Sequence, residues 1–95
     1  MIYGLVSRPY PPIATGPIDE SAVIAQAKLF APWNTWTCYV AQVGLERRQF
    51  LGVLVWQKRD VGIFSLAMLE QIRGPAGESI QYLPFWEPRP LADCY

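Results

Sequence analysis

The sequence predicts an α+β domain, with an antiparallel sheet of about four strands, one short helix on one face and proline-rich extended ends. Three observations carry this prediction. Residues 60–77 read as a strand, a capped helix and a hard stop; residues 35–43 and 49–56 have strand chemistry on either side of a turn; and proline is concentrated at the two ends. The chain has 95 residues, of which 52% are hydrophobic and 17% charged. Those values describe one small domain over residues 1–95, with a limited core.

Residues 1–20 contain Pro9, Pro11, Pro12, Gly16 and Pro17, which oppose both helix and central strand, so this segment is read as an extended arm. Ile2, Tyr3, Leu5, Val6, Tyr10 and Ile13 make the arm too apolar for a free tail, and packing on its own domain is expected. Asp19, Glu20 and Ser21 lead into an apolar run over residues 22–30, compatible with a short helical turn followed by a strand, which periodicity alone does not separate; Pro32 ends it.

Residues 35–43 alternate and carry Trp36, Thr37, Tyr39 and Val40, as a strand does. After a turn over 44–48, residues 49–56 are apolar on both parities, which predicts a central strand covered on both faces. A second turn over 57–60 returns the chain as a strand over 61–64. Ser65 is then the expected N-cap of a helix over 66–73 whose Leu66, Leu69 and Ile72 form one stripe. Gly74 in the left-handed conformation, followed by Pro75, is expected to end it. Residues 79–83 alternate as a final strand, and residues 84–95 form an extended tail.

Eight basic and eight acidic side chains leave no net charge, so steering toward nucleic acid or an anionic membrane is weak. The doublets Arg47-Arg48 and Lys58-Arg59 flank one strand and lie on the order of 27 to 33 Å apart. They are read as solvated turn charges, and direct nucleic-acid binding is not expected. The chain has no histidine, and its two cysteines, Cys38 and Cys94, have neither zinc nor disulfide-framework spacing. Ser/His and Cys/His nucleophile pairs are therefore closed. No cofactor, metal site or catalytic residue is expected. Cys38 is read as a buried small hydrophobe, and Cys94 as an incidental terminal thiol. The opening residues lack the basic start and sustained apolar run of a signal peptide, which predicts a cytoplasmic protein with no membrane segment.

Several segments resemble the small bacterial domain-of-unknown-function family numbered 2958, carried on plasmids and other mobile elements. These are Ala27-Lys28-Leu29-Phe30, Asn34-Thr35-Trp36-Thr37-Cys38-Tyr39, Phe50-Leu51-Gly52, Gly62-Ile63-Phe64-Ser65-Leu66-Ala67-Met68-Leu69 and Arg73-Gly74-Pro75-Ala76-Gly77. The resemblance runs from Pro11 onward. It departs from the family pattern at Gln81-Tyr82-Leu83, where the family carries a charged stretch, and at Met68, where it carries an acid. It implies the fold above and a mobile-element origin, and it supplies no mechanism.

One helix covers one sheet face, leaving the other to the proline-rich ends or to a second molecule. Trp33 follows Pro32 in a turn, and Phe85 and Trp86 lie between Pro84 and Pro88. These three are the expected exposed anchors for a protein partner. The expected function is non-catalytic binding to a host protein, in the specific form of an inhibitor of restriction or CRISPR-type defence that acts by surface occlusion. Charge balance argues against mimicry of DNA. Three other readings stand beside it: a homodimer, a small-ligand-binding protein or unfamiliar hydrolase with its pocket under the N-terminal arm, and an accessory of plasmid maintenance or transfer.

Overall fold

A computed structural model of the protein describes residues 10–44, 46–83 and 85–95. The expectations for Ile2, Tyr3, Leu5, Val6, Pro9 and Pro84 lie outside those residues. In chain order the elements are β1 (Ile24–Ala25), β2 (Ala27–Phe30), β3 (Thr37–Val43), β4 (Gln49–Trp56), β5 (Lys58–Ser65), α1 (Leu66–Gln71), β6 (Gln81–Tyr82), β7 (Arg89–Pro90) and a 3₁₀ turn over Leu91–Asp93. The expected α+β architecture is present, with more strands than expected. Five form an antiparallel sheet in the order β5-β4-β3-β2-β6, and β1 pairs with β7 in a second, two-stranded sheet.

The centre of the large sheet is β3 rather than β4. β4 is apolar on both parities because it is covered on both faces over residues 50–53, but it opens to solvent at Trp56. Alternation in the register divides the core in two. On the first face, Ala27, Leu29, Cys38, Val40 and Phe50 pack against Leu66 and Leu69 of α1 and against Ile80. On the second, Ala25, Tyr39, Ala41 and Val53 pack against Leu91 and Cys94. The two cysteines are free and belong to different cores.

The C-terminal end is therefore not a loose extended tail, and Cys94 is not incidental. Leu91 is fully enclosed and Cys94 is 1% exposed. Arg59 holds this segment down. Its guanidinium donates to the carbonyl oxygens of Cys94 (2.8 Å) and Leu91 (2.7 Å) and pairs with Glu20 at 2.7 Å. Tyr39 Oη also donates to the Tyr95 carbonyl at 2.8 Å. Arg59 was expected to be a solvated turn charge; the turn is tighter than predicted, so Arg59 lies inside β5 and faces the C-terminal segment. Trp56 pairs with Lys58 across Gln57 alone, whose φ is 57°.

The helix also departs from expectation. Ser65 occupies the N-cap position, but its side chain makes no capping bond. The helix ends at Gln71 because Ile72 is already extended, with φ −73° and ψ 128°. Gly74 is not the left-handed cap. Arg73 Nη1 instead donates to the carbonyls of Glu70 and Ile72, supplying donors to the helix end. The last strand is shortened to Gln81–Tyr82, on the edge beside β2. The residues before β1 form the expected turn but no helix. The Asp19 carboxylate accepts from the Ser21 N–H and hydroxyl, and these bonds lower its pKa. The described part of the arm packs on the domain: Val43 N–H donates to Pro11 O at 3.0 Å, and Ala14 N–H to Gln42 Oε1 at 3.0 Å.

Candidate binding surface

Two sequence-distant segments bring three of the four tryptophans together. The connection from β2 to β3 is a closed loop, because Ala31 N–H donates to Trp36 O (3.1 Å) and Asn34 N–H to Ala31 O (3.1 Å). The Asn34 side chain tightens it by accepting the Thr35 N–H at 2.7 Å. Trp33 is held at the tip of this loop, and Trp36 at its exit into β3. Across the ladder Thr37 pairs with Val55, and the tryptophans next to them, Trp36 and Trp56, line one depression.

Trp33, Trp36 and Trp56, with Ala31, Asn34 and Ile72, line a shallow depression of about 220 Å³. Trp56 is 50% exposed, and Trp33 and Trp36 are half-buried. Gly74 is required for this packing. A Cβ at position 74 would stand 2.7 Å from the Trp33 ring, closer than van der Waals contact permits. The glycine thus leaves space for an indole rather than serving as a helix stop, and Trp33 is seated on the hairpin that follows α1.

The structure separates the three expected anchors. Trp33 is in the depression, packed against the first core. Phe85 stands alone in a turn, 97% exposed. Trp86 is half-buried against the second core on the opposite sheet face, with Tyr39 at 5.6 Å between ring centroids and the Arg89 guanidinium 5.1 Å over its ring. Trp36 and Trp56 were not among the expected anchors, because strand aromatics are ordinarily core. The signal that could have found them is register: a hairpin pairing 37 with 55 also brings 36 and 56 to the same end of the ladder.

The other depressions offer less. The one between the N-terminal arm and the sheet, lined by Tyr10, Pro12, Val43, Gly44 and Arg47, encloses about 90 Å³. That is well below the roughly 300–1,000 Å³ of small-molecule pockets. Two larger hollows beside Ser65, of about 490 and 500 Å³, are open to solvent and lined by Arg47, Arg48, Glu46 and Glu70. Arg48 and Glu46 pair there at 3.6 Å with side chains 82% and 78% exposed, so the pair contributes little energy. Among the described residues, no group of three or more histidine, cysteine, aspartate or glutamate side chains could hold a metal, and no helix is long and apolar enough to cross a membrane.

The depression is apolar and aromatic, has no charged lining residue, and is too small to enclose a metabolite. Comparison with protein families, with curated proteins and with solved structures gave no match to this chain.

Proposed function

We propose that the protein is a non-catalytic binding module that recognises a protein partner through the depression formed by Trp33, Trp36 and Trp56. The convergence of three partly exposed indoles from two hairpins carries this reading. Tryptophan is the side chain most enriched among residues that dominate binding energy, and burial of each ring removes a large apolar area from water. Phe85, almost fully exposed, is a second apolar contact that an extended partner could cover.

The resemblance to family 2958 extends the proposal to a cytoplasmic protein of a mobile genetic element that occludes a surface of a host protein. An inhibitor of a restriction or CRISPR-type effector is its specific form. Zero net charge supports occlusion over imitation of a nucleic acid.

The test is capture of partners from a bacterial lysate containing such effectors, using the tagged protein beside a Trp56→Ala variant. Trp56 is half exposed and belongs to neither core cluster, so this substitution is expected to spare the fold, which the circular dichroism spectrum of the variant checks. A defence protein retained by the original and lost by the variant is the expected result. Identical proteins held by both, or no protein held by either, would refute the assignment of the depression.

A further inference from the structure

We infer that the protein forms a homodimer in which the outer edge of β5 pairs antiparallel with β5 of a second copy, joining two five-stranded sheets into one. The inference goes beyond the binding role given to the tryptophan depression and does not depend on it.

Its starting point is the unused hydrogen-bonding capacity of the backbone. β5 (Lys58–Ser65) has eight residues, stands at the edge of the large sheet and pairs with β4 on one side only. None of its residues is buried, and Ile63 is 51% exposed. Among the described residues, the hydrogen bonds of β5 outside its ladder with β4 are those of the Arg59 side chain. Alternate residues of an antiparallel edge strand turn their N–H and C=O outward, so half of β5 presents a free row of donors and acceptors. Another strand is what fits such a row. Edges are ordinarily guarded by charge, proline or a bulge. Here the guards stand at one end, as Lys58, Arg59 and Asp60, while Val61, Gly62, Ile63 and Phe64 carry none, and the register with β4 runs without a bulge from Gln49–Ser65 to Trp56–Lys58.

Length and charge select a second copy as the occupant. The opposite edge of the sheet is β6, two residues long, so head-to-tail addition of β6 to β5 would leave most of the β5 edge bare. Only the like edge matches it in length, which makes the contact isologous and closes it at two subunits. Antiparallel pairing about a twofold axis near Gly62 sets the charged end of each strand beyond the apolar end of the other. Parallel pairing in register would instead stack Lys58 on Lys58 and Arg59 on Arg59, like charge on like. The charges that remain are matched within each chain, Lys58 with Asp60 at 3.7 Å and Arg59 with Glu20 at 2.7 Å. The edge is therefore neutral, as is the whole chain, and two copies meet without net repulsion. Positions 61 and 63 project to one sheet face, where Val61 packs on the second core and Ile63 does not. The twofold axis brings Val61 of each copy across from Ile63 of the other and so covers it. A contact of this length is smaller than a standard interface, and a dissociation constant on the order of 10 to 100 µM is expected.

The experiment is sedimentation equilibrium of the full chain over concentrations bracketing that constant, with amide hydrogen exchange of the ¹⁵N-labelled protein at both ends of the range. The mass should rise from that of the monomer toward twice that value and no further. Exchange should slow with concentration at alternate amides of residues 60–64, those that β4 leaves unpaired. Ile63→Lys, at a half-exposed position, should weaken association about tenfold or more while its circular dichroism spectrum stays that of the original. Phe85→Ser, which alters an exposed turn away from β5, should leave association unchanged. Monomer mass throughout, association without added protection in β5, or association that Ile63→Lys leaves intact would each overturn the inference. Association lost from Trp56→Ala but kept by Ile63→Lys would overturn it as well, by moving the contact to the tryptophan depression. Capture of a lysate protein through that depression is a separate result, and its failure leaves the β5 pairing untouched.

Discussion

Gly52 and Gly62 are direct neighbours across the β4–β5 ladder, yet the same substitution should have opposite consequences at the two positions. The pairing of β3 with β4 shifts between Val40 and Gln42, and Gly52 is the partner of Val40 at that irregularity. A Cβ at position 52 would lie 1.9 Å from the Tyr39 carbonyl oxygen, whereas one at position 62 would meet nothing within 4 Å. Side-chain rotation of Tyr39 cannot relieve the first clash, because the obstructing atom is backbone. To accept Gly52→Ala, β3 and β4 must part by more than an ångström, which breaks ladder hydrogen bonds next to the bulge. Overpacking contributes about 1–3 kcal/mol and each lost bond about 1 kcal/mol, so destabilisation of about 3 kcal/mol or more is expected. For a domain of this size, 1 kcal/mol moves the melting temperature by about 4–8 °C. Gly62→Ala should be neutral or stabilise by a few tenths of a kcal/mol, since its φ is not left-handed and the unfolded chain loses freedom. Thermal unfolding of both variants, monitored by circular dichroism, makes the comparison. Equal shifts in the two melting temperatures would refute the packing argument.

Arg59→Ala should destabilise by about 2–3 kcal/mol, because it removes charge-assisted bonds that hold the carbonyls of Leu91 and Cys94. Hydrogen exchange should quicken over residues 89–95 first, and Arg59→Lys should not restore protection, since a single ammonium cannot span the same fork of acceptors. The thiols give a pH dependence. Burial pushes both the Cys38 and Cys94 thiols above their ordinary values, so the unfolded chain releases their protons at lower pH than the folded one. This contribution to stability is complete below about pH 8.5 and declines above it by at most about 1.4 kcal/mol per pH unit per thiol. Urea titrations of the reduced protein between pH 7 and 10 should show that decline, and it should shrink in Cys38→Ala. Ellman's reagent should leave Cys38 unmodified until the protein is denatured, as a thiol with no exposed surface requires.

The strands and the helix were legible because their signals are local. Alternation over 35–43, the apolar run on both parities over 49–56, the helical stripe of Leu66 and Leu69, and the prolines that interrupt both ends all act within a few residues. The charge balance and the absence of histidine likewise bound the chemistry without reference to shape. Strand order was not legible, since β3 and β4 are both apolar on two faces and only their partners distinguish centre from flank. The role of the C-terminal end was hidden for the same reason. Leu91 and Cys94 are too few to form a periodic pattern, and they become core through distant partners: the β1–β7 pairing, Tyr39, and Arg59, which presents a cation to their carbonyls. Gly74 carried a local meaning, helix termination, that the structure replaced with a distant one, the seat of Trp33. Composition and local patterning suffice for a small, neutral α+β domain with paired strands and one short helix. Which aromatics meet follows from long-range pairing, because the β3–β4 register brings Trp36 and Trp56 to one depression while the sheet's two faces keep Trp33 and Trp86 apart.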